Sequence, residues 1–398
     1  MNGERGKFWL KHYRWLWMPL IAFLITRLGV AAVAYFATPI ITDSNVPPYH
    51  IRPDNILIDV FGSRWDTGFY LSIADEGYQF DNVLLPSVAF FPLYPMLIRA
   101  ASVLTKDPLL AGILISNLML LAGAILLYRL AADDWDQGTA ERAIWYLLIF
   151  PASFFGSAIY TESLFLLLGI AALYLARKDR WWAAGLVSVL ASLTRFVGII
   201  LAPVLVIEWL QQRKNAAKRL VDENELERIP GWSDLVGALL APVGTMIYML
   251  YSQLTFGDAL IFVRASQAWA RQPESPLSTV AELLTRPLQG WSAALAAGAL
   301  PLDNWVDFFF VLIFVGIGIV LLMKRRWSEG AYVLLGAIIP LSSGLLMSQR
   351  RYMWVLFPAF ILLGKWGENP WVDRTIFVLS LLALGLFTAM YANWYWVG

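Results

Sequence analysis

Apolar residues come in long unbroken runs along this chain, and polar residues crowd the gaps between them. A helix needs about 20 apolar residues to cross a hydrocarbon layer about 30 Å thick. Runs near that length occupy 18–38, 109–131, 141–158, 161–176, 233–255, 305–323, 330–347 and 375–396. The run 181–210 is too long for one upright span and carries Arg195 at its middle, so it reads as two shorter helices meeting near Thr194-Arg195. A short run, 353–364, starts soon after Arg350-Arg351. The pattern predicts an all-α polytopic membrane protein with about 11 transmembrane helices, in one integral-membrane domain over 1–398.

Lysines and arginines in the short loops orient this pattern. Arg5, Lys7, Lys11 and Arg14 precede the first span and predict a cytoplasmic N-terminus. Alternate crossings then put Arg129 with Arg142, Arg177-Lys178-Arg180, the connector 211–232 with Arg213 and Lys214, and Lys324-Arg325-Arg326 on that same side. Two long loops, 39–108 and 256–304, fall on the extracytoplasmic side. In the first of them, Ala89–Thr105 carries Pro92, Pro95 and Arg99 and reads as a helix lying along the interface. An Ala-x-Ala pattern at Ala32–Ala34 resembles a cleavage site, but the apolar stretch is long for a signal peptide, so it is expected to remain as an anchor. Trp65, Tyr70, Tyr78, Trp269, Trp291 and Trp305 mark the loop edges, as an interfacial aromatic belt would.

Composition narrows the chemistry. Charged residues make up 15% of the chain and hydrophobic ones 59%, whereas a soluble domain is about a quarter charged. Thirty basic against twenty-nine acidic side chains leave no bulk positive charge for nucleic acid. The chain has no cysteine, which excludes disulfides, thiolate metal sites and thiol nucleophiles. His12 and His50 are its only histidines, too few for a histidine-rich metal cluster. Neither a Gly-rich phosphate loop nor the Gly-x-Ser-x-Gly or His-Glu-x-x-His motif occurs. Any reaction falls to carboxylates, arginines and aromatics.

The densest polar group is Arg64-Trp65-Asp66, Tyr70 and Asp75-Glu76-Gly77-Tyr78. If 65–75 is helical, Asp66, Phe69, Tyr70 and Ile73 share one face that could dock on the membrane surface. Asp66 could then take a proton from an incoming hydroxyl, a role worth ~10²–10⁴ in rate, or simply cap that helix. Glu162 has the same pair of readings, substrate contact or helix cap. Arg195 is expected at the outer tip of the split helix pair. Arg350 and Arg351 lie outside against the positive-inside trend; they either bind a lipid phosphate or snorkel to anchor a helix end. Arg27, at mid-span, is expected in an internal ion pair. No metal ligand set is assigned, although outer acids such as Asp66 and Glu162 could in principle share a divalent ion.

Three ordered blocks carry a resemblance. Arg64-Trp65-Asp66 with Ile73-Ala74-Asp75-Glu76-Gly77-Tyr78 and Ala89-Phe90-Phe91-Pro92-Leu93-Tyr94-Pro95 looks like the first-loop signature of the PIG-V-type mannosyltransferases. Phe150-Pro151-Ala152-Ser153 through Tyr160-Thr161-Glu162-Ser163 resembles that family's second block, and Thr194-Arg195 with Gly198 its third. The stretch 348–358, including Arg350-Arg351, is compatible with it. The resemblance implies a GT-C fold and a donor of the polyprenyl-phosphate mannose type. It implies an active site on the extracytoplasmic face of a membrane, here a bacterial plasma membrane. It maps a proposed catalytic base onto Asp66 and further site positions onto Glu162 and Arg195. The expected reaction is inverting transfer of mannose to a hydroxyl of a lipid-linked or surface glycan acceptor, giving an α-mannoside. Arg64, Trp65, Tyr78, Arg350 and Arg351 are the other expected substrate-binding residues. A transporter or flippase of lipid-linked sugars is the alternative; it predicts paired broken helices in two similar halves, and only one split pair is visible.

Overall fold

The computed structural model describes residues 12–44, 46, 53–80, 85–222, 228–281 and 302–398. Every regular element among them is helical. The sequence expectations that fall on Arg5, Lys7, Lys11, His50 and Trp291 lie outside the described residues.

Helices start where the chain supplies a cap. The Asp107 carboxylate accepts the backbone N–H of Leu109 at 2.8 Å and of Leu110 at 3.3 Å, at the head of helix Pro108–Asp134. Asn369 accepts the N–H of Trp371 at 2.9 Å and opens helix Pro370–Ala392. Each cap is followed by a proline, whose missing N–H costs nothing in the first turn.

Among the described residues five helices are long and apolar enough to span a membrane: Arg14–Ala37, Pro108–Asp134, Phe196–Leu220, Asn304–Met323 and Pro370–Ala392. Trp232–Ala238 and Ala241–Phe256, bent by 48°, make a sixth if taken as one span. Other apolar runs are cut short. The run 141–158 becomes helix Gln137–Ile149 and the 3-10 turn Ser153–Gly156, with Pro151 between them. The run 330–347 breaks after helix Trp327–Ile338 into the 3-10 turn Ile339–Ser343, which holds Pro340. Hydropathy alone does not register such breaks, and shorter apolar helices, Leu93–Thr105, Trp181–Thr194 and Phe357–Trp366, accompany the long ones.

The 181–210 run does divide at the expected place. Helix Trp181–Thr194 ends at Arg195, whose backbone is extended (φ −153°, ψ 141°), and a 3-10 turn Phe196–Ile200 leads into helix Leu201–Asp222. Gly198 permits the return: a Cβ there would lie 2.6 Å from the backbone of Ala191 and Ser192.

The chain forms two compact units that interleave in sequence: 1–71, 97–174 and 359–397 in the first, and 72–96, 175–358 and 398 in the second. In the first, helix Arg14–Ala37 packs on Pro108–Asp134 and on Pro370–Ala392. Arg27 is buried there without a carboxylate. Its guanidinium donates to the carbonyls of Ser153 at 2.7 Å and Leu148 at 2.8 Å and to the Ser153 hydroxyl at 3.1 Å. The expected ion pair is therefore replaced by the carbonyl end of helix Gln137–Ile149, which carries partial negative charge. At one end of this unit Arg14 pairs with Glu141 at 2.5 Å, and Arg129 lies 3.5 Å over the Trp15 ring.

In the second unit, helix Trp181–Thr194 packs against Trp232–Ala238 and Ala241–Phe256, and Leu302–Met323 against Trp327–Ile338. The first contact is close because both partners are glycine: a Cβ on Gly185 would sit 2.2 Å from the Gly237 carbonyl. Basic segments meet at one end here too. Arg177 lies 2.8 Å from Glu329 and 3.4 Å from Glu208, and Arg326 also pairs with Glu329. Burial opposes the Glu329 charge, but Arg177 and Arg326 outweigh it and hold its carboxyl below the ordinary range. Helix Trp181–Thr194 carries the chain about 21 Å from that end to Arg195.

Candidate active site

In the first unit the loop Ser63–Asp66 joins helix Ile56–Gly62 to helix Thr67–Asp75. Arg64 is fully buried. Its guanidinium reaches Asp59 at 2.6 Å and the Ala392 carbonyl at 3.2 Å, and stacks 4.4 Å over the Trp394 ring. Arg64 thus ties the loop to its surroundings, and its charge is balanced by the buried Asp59. Trp65 follows with φ 55°, the left-handed region that a bulky residue enters at a cost of ~1–3 kcal/mol. Its indole meets Trp396 at 5.2 Å and Trp394 at 5.8 Å. Aromatic pairs contribute ~0.5–1.5 kcal/mol each beyond their burial, enough to offset that strain.

Asp66 comes next, half-buried, directly ahead of helix Thr67–Asp75. Its backbone N–H donates to the Tyr160 hydroxyl at 3.2 Å, and its carbonyl accepts from the Phe69 N–H at 3.1 Å. Tyr160 is buried against Phe155, ring centroids 4.8 Å apart, and against Tyr70 at 6.3 Å. Glu162 is buried two residues on, as the first residue of helix Glu162–Arg177, where a carboxylate suits the helix N-terminus. The first and second sequence blocks therefore meet around Asp66. Asp75 and Glu76 do not share that setting. Both are exposed, and Gly77, with φ 94°, turns the chain after the helix end.

In the second unit four residues from three separate segments converge. Arg195 at the helix break, Arg271 from the loop after Trp269, and Arg351 from helix Gln349–Trp354 place their guanidinium carbons 5.1, 5.9 and 5.4 Å from the Tyr352 ring centre. Arg271 also donates to the Tyr352 hydroxyl at 3.0 Å and to the Ser343 hydroxyl at 3.2 Å, neither of them a carboxylate. Burial opposes ionisation of the phenol, but the three guanidinium groups prevail and push it down to about 8. Arg350, the other half of the expected arginine pair, is buried elsewhere: its Nε lies 2.7 Å from Asp307, which also accepts the Arg350 backbone N–H at 2.9 Å. The Tyr78 hydroxyl donates to the Phe90 carbonyl at 2.8 Å and its ring packs on Tyr248 and Tyr251, so its visible role is to hold the loop.

Sequence reading passed over Asp59, Arg271, Trp394 and Trp396 and gave Tyr160 and Tyr352 no role of their own. Arg271 carried one usable signal, a charge set among aromatics in the loop 256–304. Among the described residues no three His, Asp or Glu side chains gather as metal ligands.

Helices long and apolar enough to span a membrane describe an integral membrane protein. The mannosyltransferase (PIG-V) family profile matches residues 54–254. The chain belongs to that family. The mouse GPI alpha-1,6-mannosyltransferase 2 is 32% identical over 151 residues, 35% of this chain and 29% of that protein. GPI mannosyltransferase 2 of Cryptococcus neoformans is 32% identical over 149 residues, 34% of each chain. The chain thus spans about a third of the length of the curated relatives it matches. Among solved structures, ArnT from Cupriavidus metallidurans bound to undecaprenyl phosphate aligns with TM-score 0.48 and 14% identity, over 86% of this chain and 74% of that one.

Proposed function

We propose that this protein is an inverting mannosyltransferase of GT-C type that uses polyprenyl-phosphate mannose. Asp66 takes the proton of an acceptor hydroxyl as the oxygen attacks the anomeric carbon. The bond from that carbon to the phosphate oxygen breaks, and its electron pair leaves with the polyprenyl phosphate. Transfer from a β-linked donor then gives an α-mannoside. The leaving phosphate already carries charge well, so no general acid is required. Preset positive donors at the developing anion often lower such a barrier by several kcal/mol, and within the second unit Arg195, Arg271 and Arg351, gathered around Tyr352, are a set whose charge suits an anion. Arg350 stays with Asp307 and takes no part in this reading.

The observation that carries the proposal is the fixed setting of Asp66, anchored through its own N–H by Tyr160 of the second family block. The acceptor is a hydroxyl of a lipid-linked or surface glycan, and the reaction runs at the extracytoplasmic face of a bacterial plasma membrane. Gathering of Arg177 and Arg326 at one end of the second unit supports the shared side assigned to those basic segments. Purified protein incubated with polyprenyl-phosphate mannose is expected to transfer mannose or hydrolyse the donor slowly. Neither product, with donor bound, would favour the transporter reading. Single cysteines at the exposed Ser278 and Asn215 test orientation: an impermeant reagent applied to intact cells should label the first alone.

A further inference from the structure

We propose that the segment Trp394–Val397, which follows helix Pro370–Ala392, is a positioning element for Asp66 and acts through Arg64 and Trp65. The inference rests on Asp66 being the base. Its ground is where the two tryptophans of this segment go. Both meet Trp65, the residue immediately before Asp66, with centroids at 5.8 Å for Trp394 and 5.2 Å for Trp396. Trp394 also provides the face on which the Arg64 guanidinium lies at 4.4 Å, while the Ala392 carbonyl accepts from that guanidinium at 3.2 Å. Two consecutive residues ahead of Asp66 are thus held from one short segment.

Holding matters because Trp65 is left-handed. Its side chain crowds the backbone in that conformation, and a free loop would relax to negative φ. Such a relaxation turns the peptide between residues 65 and 66 and swings the Asp66 carboxylate with it. Rings packed against the Trp65 indole prevent the turn. The holding segment is itself fixed. Trp394 is left-handed at φ 63°, Asn393 accepts the Ser44 N–H through its carbonyl at 2.9 Å, and its side-chain amide donates to the Ala389 carbonyl at 2.7 Å. Phe155 meets Trp396 at 6.4 Å and Tyr160 at 4.8 Å, so the ring set that restrains Trp65 continues to the hydroxyl that accepts the Asp66 N–H. Apolar burial alone would not direct both indoles onto the residue next to the carboxylate.

The test measures kcat and KM for the donor in the full chain, per folded enzyme, with Asp66→Asn alongside. Trp394→Leu is expected to lower kcat ~10–100-fold with KM for the donor within about twofold, the signature of a misaimed group rather than lost binding. Trp394→Phe keeps a ring under Arg64 and should stay within about threefold of the parent. Trp396→Leu, at a half-buried site, should fold normally and lose ~5–30-fold in kcat, so it carries the test if Trp394→Leu does not fold. Normal kcat in the folded leucine variants, or an equal loss in Trp394→Phe and Trp394→Leu, overturns the proposal. Full activity in Asp66→Asn would instead remove the base assignment, and the positioning role with it. An inactive Asp66→Asn beside normal tryptophan variants removes the positioning role alone.

Discussion

The Ser63–Asp66 loop and the surroundings of Tyr352 both bury arginine, and they dispose of its charge in opposite ways. Around the loop, Arg64 is neutralised by Asp59 and walled by Trp394, so its charge is spent on holding the chain. Around Tyr352, three guanidinium groups face one phenol, and the hydrogen-bond partners of Arg271 are two hydroxyls. Arg350 shows that the second unit can build a staple as well, since it is matched with the buried Asp307. The difference separates arginines matched by a buried carboxylate, Arg64 and Arg350, from Arg271, whose hydrogen bonds go to neutral hydroxyls. A buried guanidinium with its own carboxylate has little attraction left for a phosphate, whereas one resting on neutral oxygens keeps most of it.

The sharpest way to break this contrast is at the carboxylate that the loop presents. Asp66→Asn keeps shape and capping capacity, so a cap alone would tolerate it, whereas a base would lose ~10²-fold or more in kcat with donor still bound. A larger loss in Asp75→Asn, on an exposed residue, would move the assignment. Next in size is the contrast among arginines. Asp59→Ala and Asp307→Ala each strand a buried guanidinium and should cost ~3–5 kcal/mol of stability, read from thermal unfolding in detergent. Arg271→Ala should leave stability within ~1 kcal/mol and weaken donor binding by ~1.5–3 kcal/mol. Equal unfolding shifts in all three would erase the distinction. The smallest effect is in pH. Tyr352 ionises at about 8 in the folded protein against ~10 unfolded. For an acid with a depressed value, the added stability is full above ~10 and disappears as pH falls through 8. Unfolding midpoints of the parent and Tyr352→Phe should therefore diverge in favour of the parent between pH 8 and 10. Donor affinity of the parent alone should fall over the same rise, as the phenolate offsets one guanidinium.

Much of the Asp66 region was legible along the chain. The helix after Asp66, its end before Gly77, and the burial of Tyr70 and Ile73 follow from local spacing, because helix faces repeat every 3.6 residues. The break at Arg195 was legible too, since an apolar run of that length cannot stay straight across one bilayer. The places where helices break inside apolar runs were not: proline breaks at 151 and 340 shorten helices inside runs that remain apolar on average. Arg27 misled for a different reason, because a helix terminus acting as its counter-charge leaves no mark in residue type.

Residue order and type alone determined the class of this protein: its apolar helices, the three family blocks, and the shortlist of acids and arginines exposed to selection by position. Which group each arginine meets was decided by tertiary contacts alone. Arg350 and Arg351 are adjacent and chemically identical, yet one meets Asp307, 43 residues away, and the other shares the Tyr352 ring with Arg271 and Arg195. The same holds for Trp394, which reaches Arg64 across more than three hundred positions. Helical periodicity acts over a few residues and can be read in sequence, whereas the charge left on a guanidinium depends on whichever distant group packing brings within about 4 Å of it.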